Sequence, residues 1–170
     1  MERHPYGIVS SIGSDHAARR VPREAIDTGD VWTSVSGFPS RVEAQLPILL
    51  THGVAEGRLS IERLVRLTAE NPARLWGVYP RKGVIAPGSD ADFVVVDPGK
   101  RLRLTSDAVL SVSGWSVFEG TEFRGWPVAT FVRGQQVAEW SGDRCSISTE
   151  FRGRYIARAT TPQAWQRGVA

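Results

Sequence analysis

Cysteine occurs once in the 170 residues, at Cys145, which excludes an internal disulfide framework and any zinc cluster built on thiolates. Lysine is nearly as scarce, with only Lys82 and Lys100. Histidine is confined to His4, His16 and His52, and no two of them form a His-x-His pair, the spacing that puts two imidazoles on one face of a strand. No apolar run approaches the roughly 20 residues of a membrane-spanning helix. Met1 to Tyr6 lack the apolar stretch of a secretory leader, so a cytoplasmic location is the default expectation.

What is present is arginine, which carries most of the net charge of +3. Arg144, Arg152, Arg154, Arg158 and Arg167 stand against a single acid, Glu150, between Arg144 and Ala170. Interleaved with Gly, Ser and Thr, they read as a surface arm or a disordered tail, and no nucleic-acid recognition motif accompanies them. An apolar content of 41% is enough for one ordinary globular core.

The most informative stretch runs from Asn71 to Pro98. Asn71 predicts a helix N-cap, Pro72 the first helical position, where no amide hydrogen is needed, and Gly77 the stop. Gly83 and Gly88 bracket an extended, hairpin-like passage that leads into Gly88, Ser89, Asp90, Ala91 and Asp92. Phe93 to Val96 is apolar and largely β-branched, which predicts a buried strand closed by Asp97 and Pro98.

This stretch resembles the carboxyl-terminal signature of the amidohydrolase superfamily, in its cyclic amidohydrolase branch of hydantoinase or dihydropyrimidinase, allantoinase and dihydroorotase-like proteins. The resemblance implies an α/β plus β chain. It would comprise the last strand and closing helices of a metal-dependent TIM-like (β/α)8 barrel, then the carboxyl-terminal strands of a small β-sandwich, as an incomplete domain. A complete barrel takes about 250 residues, more than this chain has. The expected division is 1–80 for the barrel part, 81–142 for the sandwich strands and 143–170 for the basic tail.

Upstream, Gly7 to Gly13 predicts a strand, with Ile8 and Val9 its apolar part, that ends at Ser14, Asp15 and His16. An aspartate in that place is, by itself, far more often a turn former or a helix cap. The resemblance implies more, because Ser-Asp-His matches the family's eighth barrel strand. Asp15 would then be both metal ligand and catalytic residue, ligating the more buried metal and shuttling the proton. Arg19 stands where dihydroorotases carry a second histidine that helps to hold the substrate carboxylate. It is a candidate substrate contact, and equally a solvated loop arginine. Ser36 and Gly37, ahead of Phe38 and Pro39, match the loop whose backbone binds the substrate ring amide in hydantoinase-like relatives. A residue without Cβ lets that backbone approach a flat ligand, although the same residues also make an ordinary turn.

Glu43 to Glu56 carries Leu46, Leu49, Leu50 and Val54 on one helical stripe that stops at Gly57, and His52 falls off the stripe as a surface or satisfied histidine. Ser60 caps a second helix bearing Ile61, Leu64, Val65 and Thr68, with Glu62 in the first turn, where the helix dipole favours an acid. Beyond Pro98 the chain predicts a short extended segment over Arg101 to Leu104 and a turn with room for a short helix over Thr105 to Leu110. A final hairpin turns at Arg133 and Gly134 and returns through Gln135 to Trp140.

Opening a ring amide near neutral pH takes a strong nucleophile and a proton for the departing nitrogen. On the resemblance, two zinc ions supply these, held by a His-x-His pair, a carboxylated lysine, two further histidines and the final aspartate. This chain supplies only the last. Lys82 and Lys100 both follow the barrel segment, so neither is the bridging lysine. Zinc sites generally take three or four protein ligands, so the chain alone is expected to bind no metal and to be inactive. Two readings stay open. One is the carboxyl-terminal piece of an enzyme for a small cyclic amide or imide, partnered by a missing amino-terminal half or by further copies of itself. The other is a non-catalytic assembly module or truncated pseudoenzyme. Neither a membrane nor nucleic acid is an expected partner.

Overall fold

The computed structural model describes residues 9–17, 29, 30, 32 and 41–158. Helix α1 (Arg41–Ile48) runs on as a π-helical stretch, Leu49–Ala55. Pro47, which has no amide hydrogen to give, stands just before the register widens, and the Thr51 hydroxyl donates to its carbonyl at 2.7 Å. Gly57, at φ +68°, ends the helix where the sequence predicts. The buried face differs from the expected stripe. Ala44, Pro47 and Leu50 are buried, whereas Leu46, Leu49 and Val54 are half-buried. The docking geometry explains this, because a Cβ on Gly125 would lie 3.1 Å from Leu50 Cβ, so the helix rests directly on strand backbone there.

Ser60 caps α2 (Ile61–Val65) as expected, its hydroxyl accepting from the Arg63 amide at 3.2 Å. The helix then continues without a break through a π-helical stretch, Arg66–Glu70, into α3 (Asn71–Leu75). Asn71 is therefore not an N-cap. It lies inside the helix at φ −64°, ψ −43°, and its amide donates to Arg66 O. Gly77, at φ +69°, does supply the stop. Leu64, Leu67 and Ala73 are buried, while Ile61 and Val65, each 48% exposed, face outward rather than into a core.

The passage after α3 is fastened by charge. Lys82 Nζ contacts Asp92 Oδ2 and lies 2.9 Å from Asp90 Oδ2, Arg81 Nε lies 3.1 Å from that same oxygen, and Asp92 Oδ1 accepts the Arg133 amide at 2.8 Å. Burial opposes the Lys82 ammonium, yet the hydrogen bonds and charges of Asp92 and Asp90 together raise its pKa above the ordinary lysine value. The two aspartates of the signature thus join the passage after α3 to the turn at Arg133. Gly83, at φ +84°, brings the passage so close to α3 that an added Cβ would stand 2.5 Å from that of Ala73.

Four antiparallel strands follow in chain order: β1 (Phe93–Arg103), β2 (Glu122–Val132), β3 (Gln135–Ser141) and β4 (Arg144–Ile147). The predicted buried strand over Phe93–Val96 is a strand, but Val94 and Val95 are 45% and 42% exposed. Neighbouring residues of a strand point to opposite faces, so this edge strand is open on both of them here. Nor do Asp97 and Pro98 close it. The register slips between Asp97 and Arg101, because Asp97 Oδ1 accepts the Gly99 and Lys100 amides at 2.8 and 3.1 Å, and the ladder resumes opposite Arg124. The turn expected after Leu104 contains a single 3₁₀ turn, Ser106–Ala108. The hairpin at Arg133 and Gly134 has both residues at positive φ, 51° and 74°, as a two-residue type I′ turn requires. The tail from Asp143 does not begin as disorder, since Arg144–Ile147 pairs with β3.

The core lies between α1 and the sheet, with Ala44, Leu102, Leu104, Ala108, Phe123 and Trp126 in one buried cluster. Trp126 meets Trp140 edge-on at 5.2 Å and Phe123 at 5.8 Å. Glu43 Oε1 accepts the Leu110 amide at 2.8 Å, and Thr51 Oγ1 accepts that of Arg124 at 2.9 Å, so polar groups on α1 and its extension also bind them to the sheet side. No helix among the described residues is long and apolar enough to cross a membrane.

Candidate functional site

Val9 to Ala17 carries no regular strand, apart from a single bridge at His16, so the described part of the predicted Gly7–Gly13 strand is not one. A strand needs a neighbouring ladder, and here the backbone is satisfied by helices instead. Arg63 Nη2 donates to Val9 O at 3.0 Å, Asn71 Nδ2 to Ser10 O at 2.7 Å and Gln45 Nε2 to Ile12 O at 3.2 Å, and the Ile12 amide donates to Leu67 O at 3.1 Å. Ile12, Gly13 and Ser14 also line a small cleft against Gln45, Ile48 and Leu49 of α1 and its extension.

Asp15 follows this clasped segment. It is exposed and sits at φ +49°, a left-handed conformation that aspartate tolerates better than most residues. The His16 amide donates to Ser14 Oγ at 3.3 Å, while His16 Nδ1 is buried without a hydrogen-bond partner. Arg19, Ser36 and Gly37 lie outside the described residues. His52 is an exposed histidine whose Nδ1 lies 2.7 Å from Glu56 Oε1, in keeping with its reading as a satisfied surface residue. That bond lowers the Glu56 pKa against the opposing effect of burial, with the nearby Arg58 adding to the lowering. Sequence reasoning missed Gln45, Arg63 and Asn71 as partners of the site segment. The available signal was an amide side chain immediately before the helical Pro72.

Among the described residues no group of three or more His, Cys, Asp and Glu side chains comes together to hold a metal ion. Asp15 brings one carboxylate, and the donor set for a zinc centre is not met by these residues.

Residues 2–137 match the sequence profile of the Amidohydrolase family, a span that holds both Asp15 and the stretch from Asn71 to Pro98. The chain belongs to the amidohydrolase family. Within it, the L-hydantoinase of Paenarthrobacter aurescens is 41% identical over 133 residues, which is 78% of this chain and 29% of that protein. A D-phenylhydantoinase of Escherichia coli is 34% identical over 153 residues, 89% of this chain and 32% of that one. Among solved structures, D-hydantoinase from Bacillus sp. AR9 superposes with a TM-score of 0.69 at 34% identity, covering 76% of this chain and 28% of its own. L-hydantoinase from Arthrobacter aurescens gives 0.62 at 43% identity, covering 65% and 24%. This amidohydrolase chain therefore spans about a third or less of the hydantoinases it matches.

Proposed function

We propose that this chain is the carboxyl-terminal part of a hydantoinase-like hydrolase that opens a C–N bond of a small cyclic amide or imide. Residues 1–80 derive from the end of the barrel, 81–142 from the sandwich, and the basic segment follows. Asp15 would be the one carboxylate this chain offers to a binuclear zinc site that would activate water, and would take up the proton there, while Ser36, Gly37 and Arg19 would face the substrate. The observation that carries this reading is the family match over residues 2–137, with Asp15 in the Ser-Asp-His run inside it. Because the described residues do not make a metal site, the remaining ligands would come from outside them and no catalytic step is assigned to this chain alone.

The test is complementation. The purified chain is mixed with an amino-terminal hydantoinase polypeptide that carries the His-x-His pair and the lysine, and opening of a hydantoin ring is followed by absorbance. The chain alone is expected to be inactive, the mixture active, and Asp15→Asn to lower turnover in the mixture by roughly 10²–10⁴-fold, the range for a lost acid–base group. Metal-dependent activity in the chain alone, lost in Asp15→Ala, would overturn the division of ligands. Full activity of Asp15→Asn in the mixture would overturn the role of Asp15. A mixture that associates but stays inactive would favour the non-catalytic assembly module.

A further inference from the structure

We infer that Asn71 and Pro72 are positioning residues for Asp15, gripping from one helix turn the segment that carries it. This rests on Asp15 being the site carboxylate as proposed above. In the π-helical stretch each amide reaches five residues back, and the Asn71 amide accordingly donates to Arg66 O. The next amide in that series would belong to residue 72 and would take Leu67 O, but proline has no amide hydrogen. Leu67 O is thereby left for the Ile12 amide, which takes it at 3.1 Å.

One residue earlier on the same turn, the Asn71 side chain donates to Ser10 O at 2.7 Å. Two successive residues thus hold Ser10 and Ile12, one through the donor it offers and the other through the donor it lacks. Asparagine and proline are both poor choices for a helix interior, where local propensity favours residues such as alanine or leucine. A demand from another part of the chain explains both. Gln45 and Arg63 add one hydrogen bond each, to Ile12 O and Val9 O, from α1 and α2.

The experiment follows hydrogen exchange of the Ile12 amide by NMR in the full chain, with the β1–β3 ladder amides as internal control. Pro72→Ala is the sharper variant. Removing an interior proline leaves the helix at least as stable, yet it returns an amide hydrogen that competes for Leu67 O. Ile12 exchange should rise by about fivefold or more, the worth of one hydrogen bond, while the sheet amides hold. Asn71→Asp keeps the shape but removes the donor, and should speed exchange across Ser10 to Ile12 likewise. If Pro72→Ala loses the sheet amides as well, Asn71→Asp decides. In the complemented ring-opening assay, Asn71→Asp should lower kcat with KM nearly unchanged.

Unchanged Ile12 exchange in the variants overturns the grip, whatever Asp15 does. Faster exchange with undiminished kcat, in a mixture that Asp15→Asn has silenced, overturns the positioning role and leaves the reading of Asp15 intact. Undiminished turnover in Asp15→Asn overturns that reading instead, and with it the catalytic purpose of the grip but not the grip.

Discussion

From Glu122 to Ile147 each strand finds its neighbour a short way along the chain, through two-residue turns at Arg133–Gly134 and Gly142–Asp143. The segment before Asp15 is held quite differently, by single side chains 33, 54 and 61 residues distant in sequence. Phe123 and Trp126 are buried in the sheet, where Val94, Val95 and Ile147 are exposed, and the helical part buries Leu64 and Leu67 while exposing Ile61, Val65, Leu75 and Trp76. The contrast shows two ways of ordering a chain. A meander is ordered by local pairing, and closing its short turns costs little chain entropy. The site segment is ordered only as long as remote helices stay in place, so it should be the first part to open.

The largest expected effect strikes the sheet core. Trp126→Ala should cost about 3–5 kcal/mol, the range for removing a buried aromatic side chain, read from urea unfolding followed by the remaining tryptophans. A loss below that of the next variant would mean that the sheet does not anchor the chain. Gly83→Ala strikes the junction between the two parts, where Ala73 Cβ and Ala69 O stand 2.5 and 2.9 Å from the added carbon and φ is +84°. It should cost about 2–3 kcal/mol, as strain at a left-handed position and steric crowding combine, and thermal unfolding measures it. Val65→Gln, on the open face of α2, should change stability by less than about 0.5 kcal/mol in the same urea experiment. A cost comparable to that of Trp126→Ala would erase the distinction between the two parts.

Features set by nearest neighbours were legible in the sequence. The stops at Gly57 and Gly77, the cap at Ser60 and the turn at Arg133–Gly134 all follow from local backbone preference. Asn71 misled because the capping rule describes a helix that starts there, while the π-helical stretch carries the preceding helix straight through. The Gly7–Gly13 strand misled because an apolar run shows that a segment seeks partners without showing whether they are strands or side chains. Burial at Phe93–Val96 was overestimated for a related reason, since periodicity carries no information on whether a strand lies at the edge of its sheet. The family was legible in the order of signature residues, and the role of Asp15 rests on that resemblance. The helical grip was not legible, because it depends on the helix running on through Asn71 and lying beside Ile12 and Ser10, the latter 61 residues away in sequence.

The slipped register of β1 bears on how the protein behaves in a crowd. At the open side of an outer strand, unsatisfied amides invite another chain to add itself. Here Pro98 has none, and those of Gly99 and Lys100 are already engaged by Asp97. No amide from Pro98 to Lys100 is therefore free to pair with an incoming strand, so fibril-like growth along this margin is interrupted midway.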